Sequence, residues 1–196
     1  MNAPQLVLAS SSPRRRDLLA AAGFEAVVAP AACAESSAAW LTVRELVLLN
    51  ASRKAAAIAA AYPGRVVLGA DTLVALDGRP LGKPADRAQA AAMLASLAGR
   101  THQVYSGVCL LRRRPERTAN FVCVSQVRLR ALSPAEITGY LDLIDPLDKA
   151  GAYAAQEHGE RIIASVSGSR SNVIGLPMEA LAVVLRERFA IEPRQS

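Results

Sequence analysis

Apolar positions along this chain come in short blocks whose spacing alternates between strand-like and helix-like, and that alternation lays out the predicted elements. Residues 6–9 form an apolar run of strand length. Helical spacing then holds over 13–22 and stops at Gly23. A second short strand is predicted at 25–29, followed by a loop of small residues around Glu35. Thr42 and Glu45 make a capping box that opens a long Ala- and Leu-rich helix to about residue 61, where Pro63 and Gly64 break it. Residues 66–70 read as a buried strand with Asp71 and Thr72 at its end, and 73–76 with Asp77 and Gly78 read as a short hairpin. Asp86 caps a helix to about residue 97, closed by Gly99. Two long antiparallel strands follow at 101–111 and 119–130. Ser133 and Glu136 form a second capping box, with Pro134 at the first helical position. A Gly/Ala-rich loop, a strand near 161–165 and a helix over 177–189 complete the pattern.

Strands and helices mix here without strict βαβ alternation. The predicted fold class is therefore α/β of the mixed α+β kind, with one long twisted mixed sheet flanked by helices. No repeat, low-complexity tract or linker interrupts the chain, so residues 1–196 are read as one domain. Candidate chemical residues lie in both halves, which predicts two lobes with a central cleft. With 52% hydrophobic and 20% charged residues the chain is expected to be an ordinary globular protein. It has no apolar run long enough for a bilayer and no signal-peptide pattern at the start, so no membrane partner and a cytoplasmic location are expected. Cys33, Cys109 and Cys123 make no metal pattern, and Cys109 and Cys123 read as small core residues. The net charge of +6 raises the question of nucleic acid. The dense basic run at 112–117 has the place of a hairpin tip and no interleaved aromatics, so a nucleic-acid polymer is not the expected partner.

Ser10, Ser11, Ser12, Pro13, Arg14, Arg15 and Arg16 stand where the first strand turns into the first helix. Ser12 suits the N-cap and Pro13 the first helical position. Arginine is the wrong charge for that end, costing roughly 0.3–1 kcal/mol per cation. It fits if an anion normally sits between the guanidiniums and the free helix N–H groups, which makes the segment a candidate phosphate cradle; a solvated basic helix start is the plainer alternative. Among 23 basic residues only Lys54, Lys83 and Lys149 are lysines. Their retention against so strong an arginine bias hints at sites wanting a compact ammonium on a flexible stem, with chance as the alternative. Asp71 at a strand end either binds a metal ion, activates water or caps the next turn. Gly82, Lys83 and Pro84 form a stiff loop that could hold an ammonium against phosphate. His102, Tyr105, Ser106 and Gly107 read mainly as structural. Two further small-residue loops, 146–156 with Asp148, Lys149 and Gln156 and 168–177 with Ser169 and Arg170, complete the set, the second as a possible anion nest. No Ser-His-Asp order, zinc spacing or dinucleotide glycine fingerprint is present. Phosphate-sized loops, clamping cations and a few carboxylates are the inventory of an enzyme acting on a free phosphorylated small molecule.

These blocks, in this order, resemble the Maf family of nucleoside triphosphate pyrophosphatases over residues 6–185. The matching segments are 8–15, Lys54-Ala, 69–72, 82–84, 98–102, 146–156 and 168–177. The resemblance implies a Maf/ITPase-like two-lobed fold, a divalent metal cofactor (Mg²⁺ or Mn²⁺), a nucleoside triphosphate substrate cut between its α and β phosphates, and, as often in the family, a homodimer. Asp71 matches the family's proton acceptor. Ser10, Arg14, Arg15, Glu35, Lys54 and Lys83 match its cleft residues, with Glu35 and Asp71 the implied metal contacts. The Asp71-Thr72 pair and the 148–156 segment look like the branch preferring dTTP and UTP rather than the branch preferring 7-methyl-GTP, and positions matching Arg14, Thr72 and Gln156 influence that choice. Lys149 would donate to a base carbonyl and Gln156 both donate and accept. A triphosphate sensor without cleavage is the rival of another class, and Asp71 argues against it because binding alone needs no carboxylate. Ala34 replaces a second acid often found before Glu35, and Arg170 replaces the usual aromatic residue of the last glycine loop.

Overall fold

The computed structural model describes residues 5–194. Its centre is a seven-stranded mixed sheet in the order β2 (Ala26–Val28), β1 (Leu6–Leu8), β3 (Val66–Leu76), β5 (Thr101–Arg113), β6 (Glu116–Leu129), β7 (Ile163–Ser167), with β4 (Arg79–Leu81) added to the far half of β3. β1 runs parallel to β2 and β3; the remaining pairings are antiparallel. The helices are α1 (Pro13–Ala21), α2 (Val43–Ala59), α3 (Arg87–Leu97), α4 (Pro134–Leu141), α5 (Arg170–Ile174) and α6 (Met178–Phe189). Both capping boxes form: Thr42 with Glu45 opens α2, and Ser133 with Glu136 opens α4. The Asp86 carboxylate caps α3 through the Gln89 N–H at 2.7 Å. Ser12 occupies the N-cap of α1 without a side-chain cap; instead its N–H donates to Ser10 Oγ at 3.2 Å.

The twofold alternation of strand side chains sorts the core into layers. Leu6, Leu8, Leu68 and Leu110 face α1 and α6, packing on Leu19, Leu181, Leu185 and Phe189. Val7, Ala9, Val67 and Cys109 face the small residues Ala51, Ala55 and Ala59 of α2. A separate core gathers Leu94, Leu97, Val127, Leu129, Ile137, Tyr140 and Tyr153 around the far ends of β3, β5 and β6. Each fully buried leucine there is worth roughly 1.5–3 kcal/mol. These cores make the two expected lobes. Cys109 is buried as expected, whereas Cys123 is half-buried.

α2 lies directly on the sheet because two strand positions have no side chain. A Cβ on Gly69 would fall 2.1 Å from the Ala51 carbonyl oxygen, and one on Gly107 would fall 2.4 Å from that of Val47. Both glycines are the condition for the close approach that carries the polar face of α2 to β3.

Two expectations are corrected. Asp71 does not end its strand: β3 is continuous for 11 residues, with Asp71 and Thr72 in its middle. What ends there is the neighbour, since β1 pairs with residues 66–68 and β4 with 74–76, leaving 69–73 without a strand on that edge among the described residues. The 168–177 segment is also not an open anion nest. It contains α5, and the Ser169 and Ser171 hydroxyls donate to the Glu179 carboxylate at 2.7 and 2.8 Å, so an internal anion already fills it.

Candidate active site

The open edge of β3 is the floor of a cleft of about 540 Å³ between the lobes. Adjacent strand residues point to opposite faces, so Asp71 turns toward α2 and Thr72 toward α1 and α5. Asp71 is 4% exposed. Its Oδ2 accepts from Asn50 Nδ2 at 3.1 Å and its Oδ1 from Lys54 Nζ at 2.7 Å. Asn50 and Lys54 are one turn apart on α2 and share a face. Lys54 Nζ also donates to Glu35 Oε1 at 2.6 Å, so a single ammonium joins two carboxylates. Asn50 pins the same loop through Ser36, accepting from its N–H at 2.7 Å and donating to its carbonyl at 3.2 Å. Burial alone would raise the Glu35 carboxyl, but the Lys54 hydrogen bond and charge, then Lys83 and Arg15, hold it below the usual carboxylate range.

On the other face, Arg15 donates to three neutral oxygens: Ser10 Oγ at 3.0 Å, Thr72 Oγ1 at 3.2 Å and the Gly175 carbonyl at 3.0 Å. Burial lowers its pKa, opposed by the charge of Asp71 and deepened by Arg14. No carboxylate touches it among the described residues, so it faces the cleft as a fixed, unneutralised guanidinium. Thr72 rests on Ser106 Oγ at 2.8 Å, and Ser106 donates to the Asn172 carbonyl at 3.3 Å. Lys83 lines the opposite wall in the loop after β4, exposed and without a hydrogen-bonded or ion-paired partner among the described residues.

At the far end, Arg14 donates through Nη1 to Asp148 Oδ2 at 2.8 Å, and Lys149 Nζ donates to Asp148 Oδ1 at 2.7 Å. Lys149 is 6% exposed, while Gln156 is exposed and donates to Glu157 Oε1 at 3.3 Å. Burial would raise the Asp148 carboxyl, but the hydrogen bonds from Lys149 and Arg14 bring it below its ordinary value. Behind this wall His102 Nε2 lies 2.7 Å from the Tyr153 hydroxyl, in the structural role expected of it.

The cleft thus gathers Ser10, Arg14, Arg15, Glu35, Lys54, Asp71, Thr72, Lys83, Lys149 and Gln156, whereas Ser169 and Arg170 of the second small-residue loop stay outside its lining. Residues 5–188 match the family described as Maf-like protein. The chain belongs to the Maf family. Among its relatives, a dTTP/UTP pyrophosphatase of Myxococcus xanthus is 46% identical over 199 residues, covering 100% of both chains. One of Symbiobacterium thermophilum is 47% identical over 183 residues, 93% of each chain. One of Akkermansia muciniphila is 46% identical over 175 residues, 89% of this chain and 92% of its own.

Two departures from the Maf pattern fall in different places. Ala34 is exposed beside Glu35 and adds no oxygen donor. Arg170 does not line the cleft; its Nη2 donates to the Ala155 carbonyl at 3.2 Å, bracing the segment that ends in Gln156. No group of three or more His, Cys, Asp or Glu side chains with metal-site geometry occurs among the described residues. Glu35 and Asp71 nonetheless both line the cleft, on either side of the Lys54 ammonium they share. One or two carboxylates completed by substrate phosphates is the mode in which Mg²⁺ is commonly bound, so this Maf donor set fits such an ion. Sequence reasoning missed Asn50, although a single amide inside the apolar stripe of α2, one turn before Lys54, was a visible signal.

Proposed function

We propose that this Maf protein hydrolyses dTTP and UTP between the α and β phosphates, releasing the nucleoside monophosphate and pyrophosphate, and that residues 1–196 act as one catalytic domain. The observation that carries the reading is Asp71, a buried carboxylate on the stretch of β3 whose β1/β4 edge is open among the described residues, sharing a cleft with Lys54, Arg15 and Lys83. The names of the relatives support the substrate and the bond cleaved.

In this reading Asp71 orients the attacking water and accepts its proton, as a positioned carboxylate can. Asn50 and Lys54 fix the two oxygens of Asp71 so that this orientation precedes substrate binding. Arg15, Lys83 and the N–H groups at the start of α1 take the phosphates, and Arg14 reaches them on leaving Asp148. Fixed charges of this kind stabilise the leaving pyrophosphate without reorganisation, each worth about 10²–10³ in rate. Glu35 and Asp71 are the residues that would hold Mg²⁺ or Mn²⁺ with the substrate, and the ion would supply Lewis acidity and a phosphate template. Ser10 and Thr72 keep Arg15 in place. Lys149 and Gln156 read the base, and a site built of such groups rejects a mismatched base because its own donors would go unpaired. No helix among the described residues is long and apolar enough to cross a membrane, in keeping with a cytoplasmic enzyme of the nucleotide pool. A second copy of the chain is the macromolecular partner this reading carries over from the family.

Pyrophosphate release from dTTP, UTP, dCTP, dGTP and 7-methyl-GTP with Mg²⁺ tests the proposal. Fastest release from dTTP and UTP is expected. Equal rates on all five, a lead for 7-methyl-GTP or no release at all would contradict it.

A further inference from the structure

Asp148 holds together two residues from opposite sides of the cleft. Its Oδ2 and its backbone carbonyl accept from the two Nη atoms of Arg14, at 2.8 and 3.3 Å, and its Oδ1 accepts from Lys149 at 2.7 Å. Arg14 stands on the first turn of α1, while Lys149 belongs to the loop before the turn at Ala150–Ala152. One carboxylate therefore bridges the mouth and keeps adjacent two cations that would otherwise repel.

An ammonium has three protons. The Asp145 carbonyl takes one from Lys149 at 2.8 Å and Asp148 Oδ1 takes the second. The third faces Glu157 Oε2 at 3.5 Å, beyond a good hydrogen bond. Gln156 Nε2 faces the other oxygen of the same carboxylate at 3.3 Å. With two protons committed, the direction of the third is fixed, and it points beside the Gln156 amide into the position of one carboxylate, each donor facing its own Glu157 oxygen. Glu157, exposed and loosely held, occupies that position when no base is present.

We propose that Asp148 is the positioning residue for base selection: together with the Asp145 carbonyl it aims the last Lys149 proton, beside the Gln156 amide, at a keto oxygen of the base, which displaces Glu157. This rests on the reading of Lys149 and Gln156 as the base-reading pair. Uracil and thymine present a carbonyl where cytosine presents an amino donor. The aimed Lys149 proton is paired by the first and left unpaired against the second.

The test is Asp148→Asn, which keeps the size and an acceptor oxygen but removes the charge, with Asp148→Ser as a second charge-removing variant and Asp148→Glu as the conservative control. Melting temperature verifies folding. The Asn variant should raise KM for dTTP about tenfold, with kcat much less affected, and lower the dTTP-to-dCTP ratio of kcat/KM by about tenfold or more. Affinity for dTMP over dCMP, read by calorimetry without turnover, should fall in parallel, and Asp148→Glu should restore most of both preferences. A folded charge-removing variant with the wild-type preference, or a loss of kcat equal for both nucleotides, would overturn the role of Asp148 alone. A wild-type enzyme that does not distinguish dTTP from dCTP would overturn the base-reading pair itself, and this proposal with it.

Discussion

Acidification from pH 8 to pH 5 should destabilise this protein by about 2 kcal/mol through His102 alone. The imidazole sits on β5 at 0% exposure, edge-on to Tyr153 with ring centroids 5.4 Å apart, and its Nδ1 has no partner among the described residues. Burial pushes its pKa down from 6.5 to about 4. The unfolded chain therefore takes up a proton near pH 6.5, and the folded chain only near pH 4. The stabilisation is fully present above pH 6.5 and is lost as the pH falls toward 4. At about 1.36 kcal/mol for each tenfold in proton affinity, that gap is worth roughly 3 kcal/mol in all, of which about 2 kcal/mol is gone by pH 5. Glu35, Asp148 and Glu179 are held below ordinary carboxylate values and so lose their contributions at lower pH, which leaves the window from 6.5 to 5 to His102. Urea unfolding at both pH values measures it: the midpoint should fall with an unchanged slope. His102→Gln should abolish most of the difference. Equal wild-type stability at pH 8 and 5, or a variant that keeps the full loss, would refute the assignment.

Two further outcomes follow from the same geometry. Gly107→Ala places a methyl against the Val47 carbonyl of α2, a backbone atom that cannot swing away, so it should cost about 1–3 kcal/mol or more and also lower kcat, because α2 carries Asn50 and Lys54 to Asp71; denaturant unfolding and pyrophosphate release on one sample check both. Lys83→Ala removes an exposed side chain without a partner among the described residues, so stability should change by no more than about 0.5 kcal/mol while kcat/KM falls about 10²–10³; thermal melting beside steady-state kinetics separates the two.

What the sequence made legible was local. The capping boxes at Thr42 and Ser133 formed because Ser or Thr followed three residues later by Glu satisfies its own helix start, whatever the rest of the chain does. The 112–117 tip was legible from the polar break between two alternating runs. The lysines stood out against the arginine bias, and Lys54, Lys83 and Lys149 all line the cleft. The setting of Asp71 was not legible, because β3 continues through it and the opening depends on where β1 stops and β4 begins. That is a matter of register between segments far apart in sequence. Ser169 and Ser171 looked like an empty nest for the same reason: the anion that fills it, Glu179, comes from the next helix. The resemblance of seven ordered blocks carried the family, and it could not say that Arg14 and Lys149 meet on Asp148.

The central claim is that Asp71 activates the attacking water, and Asp71→Asn tests it most directly. The amide keeps the shape and can still accept from Lys54, so nucleotide binding should persist. Single-turnover pyrophosphate release from dTTP should fall by about 10²–10³ or more, with dTTP affinity within a few-fold of wild type. Release at the wild-type rate by the folded variant would contradict the account.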